Sequence, residues 1–554
     1  MTIVRGVHAV RFGADVLQQR AKQFAPIALR SQLDYRDGGG FSYFANYLDD
    51  FGGSGPGGGS ALRDFGSNAY YPDLTRFAFF FQDRWRMSKT LTLTLGLRYE
   101  NFGQPINTLR TPAFTGLFNI NPTTFTGPFD QPNKVKNDNN NFGPTVGLAW
   151  TVRPKTVFRL GYQVSFDTFF NNIASNASVS SPNVIATQVR SVVDGTTPRG
   201  LPRLSASLPL VARTLTPLDT QNRVIGNLVN PYVQRFSGGI QHELPAGMIL
   251  DVSYVGSKGT RLFWQEEYNP VVPSSLVILP TGDIPAARRA ARFDGIQGRR
   301  AIRTNGGSST YHALQTQLNR RFSKGLLTTV AYTWSKNLDN GSELFTFNSN
   351  PAPSMIPSIF GGERLDRAFS LFDRTHRLTF SYLYELPWKK QNRVLGGWGL
   401  SGVTALKSGV PLTVLNGIDA DGYEGSSGDR PDYNPNGQRG VRAVIDRNSP
   451  TGYRNPDAVG GSAPIDPAQA QFIQRAAFAG TVPLRPSTLG RNTERTPGLK
   501  NWNINILKTV KVTEQLRMEF RTEFYNLFNT PQYGTPGVSP FAPQTQGSSA
   551  LPRN

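Results

Sequence analysis

Apolar and polar residues alternate along most of the chain with a period of two. In the segment 90–99, TLTLTLGLRY, the side chains of Leu91, Leu93, Leu95 and Leu97 fall on one side, and threonine, glycine and arginine fall on the other. Successive side chains of a β-strand point to opposite faces of the sheet. The pattern therefore predicts a strand with one apolar and one polar face.

About a dozen segments show this alternation, and many have roughly the 9–11 residues of a tilted membrane-spanning strand. The clearest of the others lie at 146–152, 158–166, 248–254, 330–334, 378–384 and 516–524. Aromatic residues recur near the ends of such segments, where a membrane barrel carries two interfacial girdles. Examples are Trp85, Trp150, Trp334, Trp388, Trp398 and Trp502. No long helix is predicted, and the best helical candidate, 468–477, is interpreted as a short loop element.

The connections between the predicted strands are alternately short and long. Short links are predicted at 87–89, 153–155, 245–247, 323–325, 512–514 and, somewhat longer, 387–397. Long segments rich in Gly, Asn and Pro are predicted at 103–141, 167–230, 257–309, 337–372 and 409–500. Transmembrane β-barrels have short periplasmic turns and long extracellular loops, so the predicted fold is an all-β, antiparallel transmembrane β-barrel meander. The alternative, a soluble sandwich or propeller, would have short turns at both ends or a repeat of fixed period.

The composition excludes several classes of protein. The 554 residues include no cysteine, which excludes disulfides, thiolate catalysis and cysteine-ligated metal centres. No run approaches the roughly 18 consecutive apolar residues of a membrane-spanning helix. A helical transporter or channel is therefore excluded.

Positive charge is spread along the whole chain, which has a formal net charge of +21. The densest basic cluster lies in a polar segment that contains glycine. Its members are Arg288, Arg289, Arg292, Arg299, Arg300 and Arg303. A nucleic-acid surface gathers its charge on one face. We interpret this cluster as a solvated loop and expect no nucleic-acid partner, although strands and loops explain only part of the charge.

The residue types needed for catalysis do not come together in the sequence. The four histidines fall in four different predicted strands without the spacing of metal ligands: His8, His242, His312 and His376. No serine lies in a G-x-S-x-G setting, and the glycine-rich segment 52–60 lacks the Lys-Ser/Thr of a phosphate-binding loop. We therefore predict that the chain is not an enzyme and has no catalytic residue.

One loop segment has the composition of a calcium site. In the segment 417–432, Asp419, Asp421 and Asp429 lie among glycines and could supply oxygen ligands to Ca²⁺. The segment departs from an EF-hand loop, so an acidic surface turn is the alternative. Structural Ca²⁺ is the one cofactor that we consider.

Several strings resemble one family in order and over nearly the whole chain. The longest is RFAFFFQDRWRMSKTLTLTLGLRYENFGQP at 76–105. It resembles the strand pair of TonB-dependent outer-membrane receptors, most closely the large Oar-like receptors that carry a carboxypeptidase-regulatory-like domain. Further similar strings lie at 254–262, 311–326, 331–342, 373–387, 428–432 and 520–536.

The resemblance implies a 22-stranded barrel, closed by an N-terminal plug and driven by TonB from the inner membrane. Residues 1–554 are expected to form part of that barrel, with about 13 of its strands. On this reading the chain is a fragment truncated at both ends. The plug, TonB box, signal peptide and terminal closing strand are expected to be absent.

Four charges near the C-terminus alternate with apolar residues: Arg517, Glu519, Arg521 and Glu523. On a lipid-facing surface each arginine would cost about 2–4 kcal/mol at mid-depth. The charges are therefore assigned to the lumen, where the resemblance implies that they dock a plug.

The function expected from the resemblance is uptake of an unidentified ligand across the outer membrane of a Gram-negative-type bacterium. The long outer loops would bind the ligand. Expected partners are outer-membrane lipid and, as in intact relatives, the plug domain and the TonB complex. Two alternatives remain open: a non-transporting adhesion barrel, and a soluble extracellular β-protein that binds carbohydrate.

Overall fold

The computed structural model describes most of the chain. The described residues are 1–24, 32–35, 37, 41–50, 60–65, 69–109, 112–114, 134–168, 171–178, 185–190, 221–267, 269, 300–342, 364–388, 392, 394–417, 420, 429–476, 487–534 and 541.

Fourteen strands of the 17-stranded main sheet form a continuous meander, which we call the wall. They are β1 (Thr2–Arg5), β2 (His8–Gln19), β3 (Leu74–Arg86), β4 (Leu91–Asn101), β5 (Asn141–Arg153), β6 (Thr156–Phe166), β7 (Tyr232–Leu244), β8 (Met248–Glu267), β9 (Arg300–Ser323), β10 (Leu326–Asp339), β11 (His376–Glu385), β12 (Trp398–Lys407), β13 (Leu499–Lys511) and β14 (Arg517–Phe524). Each strand pairs antiparallel with the next one along the chain. Among the described residues β1 and β14 do not pair with each other, so the sheet is open. The predicted all-β antiparallel meander is confirmed.

Short and long connections alternate as predicted. Each predicted short link lies between two wall strands, and the link between β7 and β8 is a 3-10 turn, Pro245–Gly247. The long connections all leave the opposite edge of the wall, so one rim carries turns and the other carries loops. We call these edges the turn rim and the loop rim.

The predicted long loop at 257–309 is wrong at both of its ends. β8 continues to Glu267, and β9 begins at Arg300. The Gly- and Ser-rich sequence lacks alternation, but it permits close backbone pairing, since a Cβ at Gly307 would lie 2.8 Å from the Leu262 backbone oxygen. The pairing register shifts beside Leu262, which marks an irregularity in the ladder. The β8–β9 hairpin therefore extends past the wall on the loop side.

Shorter elements fill the long connections. The helices are Tyr43–Leu48 and Asn171–Ser178, with 3-10 turns at Pro105–Thr108 and Pro467–Gln469. The additional strands are Gln23–Phe24, Gln32–Asp34, Ser60–Phe65, Ala69–Tyr70, Ala113–Phe114, Ile185–Arg190, Gln221–Ile225, Ala368–Phe369, Pro411–Leu412, Asp432–Tyr433, Gln438–Ile445, Tyr453–Asn455, Ala463–Pro464, Ala470–Ile473 and Glu494–Arg495. The predicted loop element at 468–477 is thus the end of a 3-10 turn followed by a strand. Among the described residues, no helix has both the length and the hydropathy to cross a membrane.

One face of the wall is apolar and is not covered by the described protein. In β3, Phe79 and Phe81 are each 53% exposed, whereas Ala78 between Phe77 and Phe79 is fully buried. Phe79 stands opposite Tyr99 of β4, and Phe81 opposite Leu97, so the apolar positions continue from strand to strand. Further exposed apolar residues of this face are Val146, Leu160, Ile240, Leu314, Ile506 and Phe520. A contiguous apolar band of this size needs an apolar environment.

Aromatic side chains lie towards both ends of the strands. At the turn rim His8 stacks on Trp85 with ring centroids 5.5 Å apart. At the loop rim Tyr99 packs on Phe142 at 4.9 Å, and Phe166 packs on Tyr232 at 5.7 Å. The wall therefore has its aromatics where a membrane barrel meets the two interfaces.

Candidate functional site

The polar face of the wall carries a charge cluster beside the loop rim. Arg76 Nη2 lies 2.5 Å from Glu100 Oε1, and Arg98 Nε lies 3.0 Å from the same oxygen. Arg98 also reaches Asp15 Oδ2 at 3.4 Å. The register explains this cluster, because Ala78 stands opposite both Glu100 and Asp15. The charges of three adjacent strands therefore share the face opposite the apolar band.

The four charges predicted at the C-terminus lie together on one face of β14. Arg521 pairs with Glu519 at 2.9 Å and with Glu523 at 3.7 Å. The register places Glu523 opposite Asn505 and Glu519 opposite Thr509. Arg517 stands opposite Lys511 on the same face. These charges therefore belong to the polar face of the wall, and docking of a plug to them stays a prediction.

The four histidines lie on four different wall strands, and each contacts a residue of the adjoining strand. His8 Nδ1 lies 2.7 Å from Asp83 Oδ2, and His242 Nδ1 lies 2.9 Å from Thr156 Oγ1. His312 and His376 bond tyrosine hydroxyls, at 2.6 and 2.8 Å. Within the part of the chain that is described, no group of three potential metal-ligating His, Asp or Glu side chains comes together.

The calcium candidate falls mostly outside the described residues. Asp419 and Asp421 are not among them. Asp429 is buried, and its Oδ2 accepts a hydrogen bond from the backbone N–H of Ala420 at 2.6 Å. Its backbone oxygen accepts from the N–H of Asn416 at 2.6 Å. Asp429 thus braces its own loop, and calcium binding by the three aspartates stays a prediction.

Within the part of the chain that is described, a buried charge network ties the loop after β12 to the rim beside β10 and β11. We call it the loop clasp, and it consists of three ion pairs: Arg491 with Asp339, Arg495 with Asp373, and Arg430 with Asp366. Arg495 Nη2 lies 2.7 Å from Asp373 Oδ2, and Arg430 Nη2 lies 3.0 Å from Asp366 Oδ1. All six side chains are buried except Arg495, which is partly exposed. A buried pair of this kind holds the two segments in one arrangement, since loss of one partner would leave the other charge buried and unpaired.

Additional hydrogen bonds make the clasp specific. Arg491 Nε donates to the backbone oxygen of Asp366 at 2.9 Å. Asp373 Oδ1 accepts from the backbone N–H of Asn337 at 2.7 Å. Asn492, next to Arg491, donates to the backbone oxygen of Phe369 at 2.7 Å. The loop that contains the strands from Asp432 to Ile473 is therefore held on the rim at several points.

Sequence reasoning did not find the clasp. Asp339 and Asp373 lie in the strings at 331–342 and 373–387, and Arg430 lies in GDRPD at 428–432. The charged residues of these strings were the available signal. Each clasp residue pairs with a residue far away in the sequence, 152 positions away in the case of Asp339 and Arg491, and such pairing leaves no local pattern.

A second charged region lies on the extension of the β8–β9 hairpin. Residues Gln221–Ile225 pair in parallel with the beginning of β9 at 300–303 and with Ala113–Phe114. Together with the end of β8 at 264–267 they form what we call the rim sheet. Val224 and Ala113 belong to a buried apolar cluster on one side of it. The other members are Ile106, Leu109, Val135, Ile173, Ala174, Ala177 and Leu228.

The rim sheet corrects the prediction for the arginine cluster. Arg300 and Arg303 were expected in a solvated loop, but both are buried residues of β9. Backbone pairing on both sides of the β9 start covers them, and Arg223 of the neighbouring strand is buried as well. The other four arginines, Arg288, Arg289, Arg292 and Arg299, lie outside the described residues.

Solved outer-membrane proteins resemble the chain in structure, at low sequence identity. The outer membrane transporter YddB from Escherichia coli is 9% identical, with 96% of this chain and 49% of that chain covered and a TM-score of 0.48. The ferric enterobactin receptor PfeA from Pseudomonas aeruginosa is 9% identical, with 94% of this chain and 49% of that chain covered and a TM-score of 0.39. The FrpB iron transporter from Neisseria meningitidis is 10% identical, with 95% of this chain and 49% of that chain covered and a TM-score of 0.38. The chain therefore spans about half the length of these structures.

The family match covers nearly all of the sequence. No curated protein matches the chain. Residues 1–553 match the family described as "Outer membrane beta barrel domain". The match agrees with the wall, which has one apolar face, aromatic residues towards both ends of its strands, and connections that are alternately short turns and long loops. The chain therefore belongs to the outer membrane beta-barrel domain family, and its location is the cell outer membrane.

Proposed function

We propose that the chain is the barrel portion of a TonB-dependent, Oar-like receptor that takes up a ligand from outside the cell. The observation that carries the proposal is the loop clasp, whose buried ion pairs hold a folded outer loop on the rim. Loops that are positioned by a rigid scaffold are the usual carriers of binding residues. A loop fixed in this way presents one defined surface to a ligand.

In this proposal the parts of the molecule divide the work. The loop rim captures the ligand, and the apolar band holds the wall in the bilayer. The polar face, with the partly exposed Arg76 and Arg98, provides a hydrated surface along which a released ligand moves. A plug docks against the polar face, and TonB supplies the energy for its rearrangement. No residue of this chain acts as a catalyst.

Of the two alternatives, the outer-membrane location argues against a soluble carbohydrate-binding protein. The adhesion barrel uses the same wall and the same loops, and it differs only in what happens after binding. Transport moves the bound ligand inside the cell and requires energy. Adhesion leaves the ligand at the surface and does not.

The test compares the source bacterium with a deletion strain that is complemented by the intact gene. Growth medium is analysed by mass spectrometry before and after incubation, with and without a protonophore. We expect at least one medium component to be depleted and internalised only by complemented cells, and only without the protonophore. Retention of that component at the cell surface, insensitive to the protonophore, would establish adhesion instead.

Two variants connect the test to the clasp. Asp339→Asn removes the charge that faces Arg491 and should abolish depletion of the component. The matched control is Asp457→Asn, which breaks a partly exposed pair with Arg442 in the same outer loop. The control should deplete the component at the wild-type rate. Equal rates for both variants would contradict a role of the clasp in capture.

A further inference from the structure

Arg223 is a buried side chain of the rim sheet. Its side chain is 2% exposed. Within the described residues, none of its three guanidinium nitrogens has a hydrogen-bond partner. Burial, and secondly the nearby Arg300 cation, lower the pKa of Arg223 from its ordinary value to about 9. The group therefore still carries its charge at neutral pH.

The register of the rim sheet shows what surrounds this charge. Arg223 stands opposite Ile302, and Arg300 lies two residues before Ile302, on the same face. Glu266 also stands opposite Ile302, from the other side. Val224, next to Arg223, points to the opposite face, into the apolar cluster. Two guanidinium groups thus share one buried face of the sheet.

The carboxylate of this face does not neutralise Arg223. Glu266 Oε1 accepts a hydrogen bond from Thr304 Oγ1 at 3.0 Å. Among the described residues, Arg300 is the charged group that shifts the pKa of Arg223, and it acts against the charge. The same face adds a second donor without a described partner, the buried indole Nε1 of Trp264.

An uncompensated buried charge is unfavourable unless a counter-charge enters the site. The guanidinium is planar and presents its N–H groups as a fork that fits carboxylate or phosphate oxygens in pairs. We propose that Arg223, with Arg300 as a second positive charge, forms an anion site on the rim sheet for a carboxylate or phosphate group. The inference rests on the proposed capture function, because it assigns a negatively charged group to the ligand.

The first experiment measures anion binding to the purified chain in a phosphate-free, non-ionic detergent. Thermal unfolding is followed against inorganic phosphate and against acetate, with sodium chloride at equal ionic strength as the reference. We expect both oxyanions to raise the midpoint above the chloride reference in a saturable way. A midpoint that follows ionic strength alone would overturn the proposal.

Variants assign the binding to Arg223. Arg223→Gln should weaken the apparent phosphate affinity about 10–100-fold, because it removes charge-assisted hydrogen bonds. Arg447→Gln, an exposed arginine of another outer loop, should leave the affinity unchanged. Equal affinities of wild type and Arg223→Gln would refute the site. In the absence of phosphate and acetate, Arg223→Leu should unfold at the same midpoint as wild type or at a higher one. A lower midpoint would contradict the inference that Arg223 is an uncompensated buried charge.

A further arm separates two sources of the phosphate group. The titration is repeated in micelles that contain lipid A, whose phosphates would compete if a membrane lipid occupies the site. An unchanged apparent affinity assigns the site to a soluble ligand, whereas competition assigns it to lipid; either result retains the anion site. Anion binding is measured on purified protein and does not depend on uptake by cells. The anion site can therefore be confirmed even if the uptake test fails, and the two proposals are tested independently.

Discussion

Two groups of buried arginines lie on the loop rim, and they differ in the sign of the charge next to them. In the loop clasp, Arg491 and Arg430 each meet an aspartate that is itself buried. In the rim sheet, Arg223 meets another arginine, Arg300. Burial alone therefore does not distinguish a structural charge from a binding charge. The clasp is electrostatically complete and holds a loop, whereas the rim sheet retains positive charge that a ligand can satisfy.

Removing one charge of the clasp should have the largest effect on stability. Asp339→Asn leaves the Arg491 guanidinium buried without its counter-charge, which typically costs about 3–5 kcal/mol. We expect the outer loop at 408–498 to detach, and limited proteolysis of the outer-membrane protein should cut it much faster than in wild type. Asp457→Asn, in the partly exposed pair with Arg442, serves as control. Equal cleavage of both variants would show that the clasp does not hold the loop.

The second prediction contrasts the two faces of the wall at adjacent positions. Phe81 lies in the apolar band, and Gln82 lies on the polar face of the same strand. Phe81→Arg should destabilise the protein in lipid by about 2–4 kcal/mol, while Gln82→Arg should be nearly neutral. Urea unfolding in lipid vesicles measures the difference. A neutral Phe81→Arg would argue against a lipid-facing band.

The wall and the loop rim also differ in how far the sequence predicts them. The strands of the wall are predicted from local alternation, because apolar residues recur at every second position, as at 91–97. The turns follow for the same reason, since they separate successive alternating segments. The clasp follows no such rule, because Asp339 and Arg491 meet only after the chain has folded.

The two errors in the sequence prediction have a common physical origin. Residues 300–309 were assigned to a long loop rich in Gly, Asn and Pro, and Arg300 and Arg303 to a polar segment that contains glycine. In the structure, backbone hydrogen bonds extend the hairpin through this segment, and the buried arginines are covered by neighbouring strands rather than by water. Periodicity reports the exposure of side chains and fails where tertiary packing buries polar ones.

A third prediction tests whether the hairpin extension supports the rim sheet. Gly307→Ala would bring a Cβ to within 2.8 Å of the Leu262 backbone oxygen. Such overpacking typically costs about 1–3 kcal/mol, and the rim sheet that begins a few residues away should loosen. Hydrogen exchange of the amides at 300–304 should accelerate. Gly96→Ala, where the nearest atom lies at 3.4 Å, should leave that exchange unchanged.

The smallest effect is expected at the exposed charges of β14, which sharpen the contrast with the clasp. Arg521 pairs with Glu519 at 2.9 Å, but both side chains are about half exposed to solvent. Water solvates either charge when its partner is removed, so the pair contributes little to stability. Glu519→Gln should therefore leave the unfolding midpoint unchanged under the conditions in which Asp339→Asn lowers it. A large loss would show that this face is covered in the native protein, as plug docking requires. The same substitution thus separates a solvated polar face from one that is packed against a further domain.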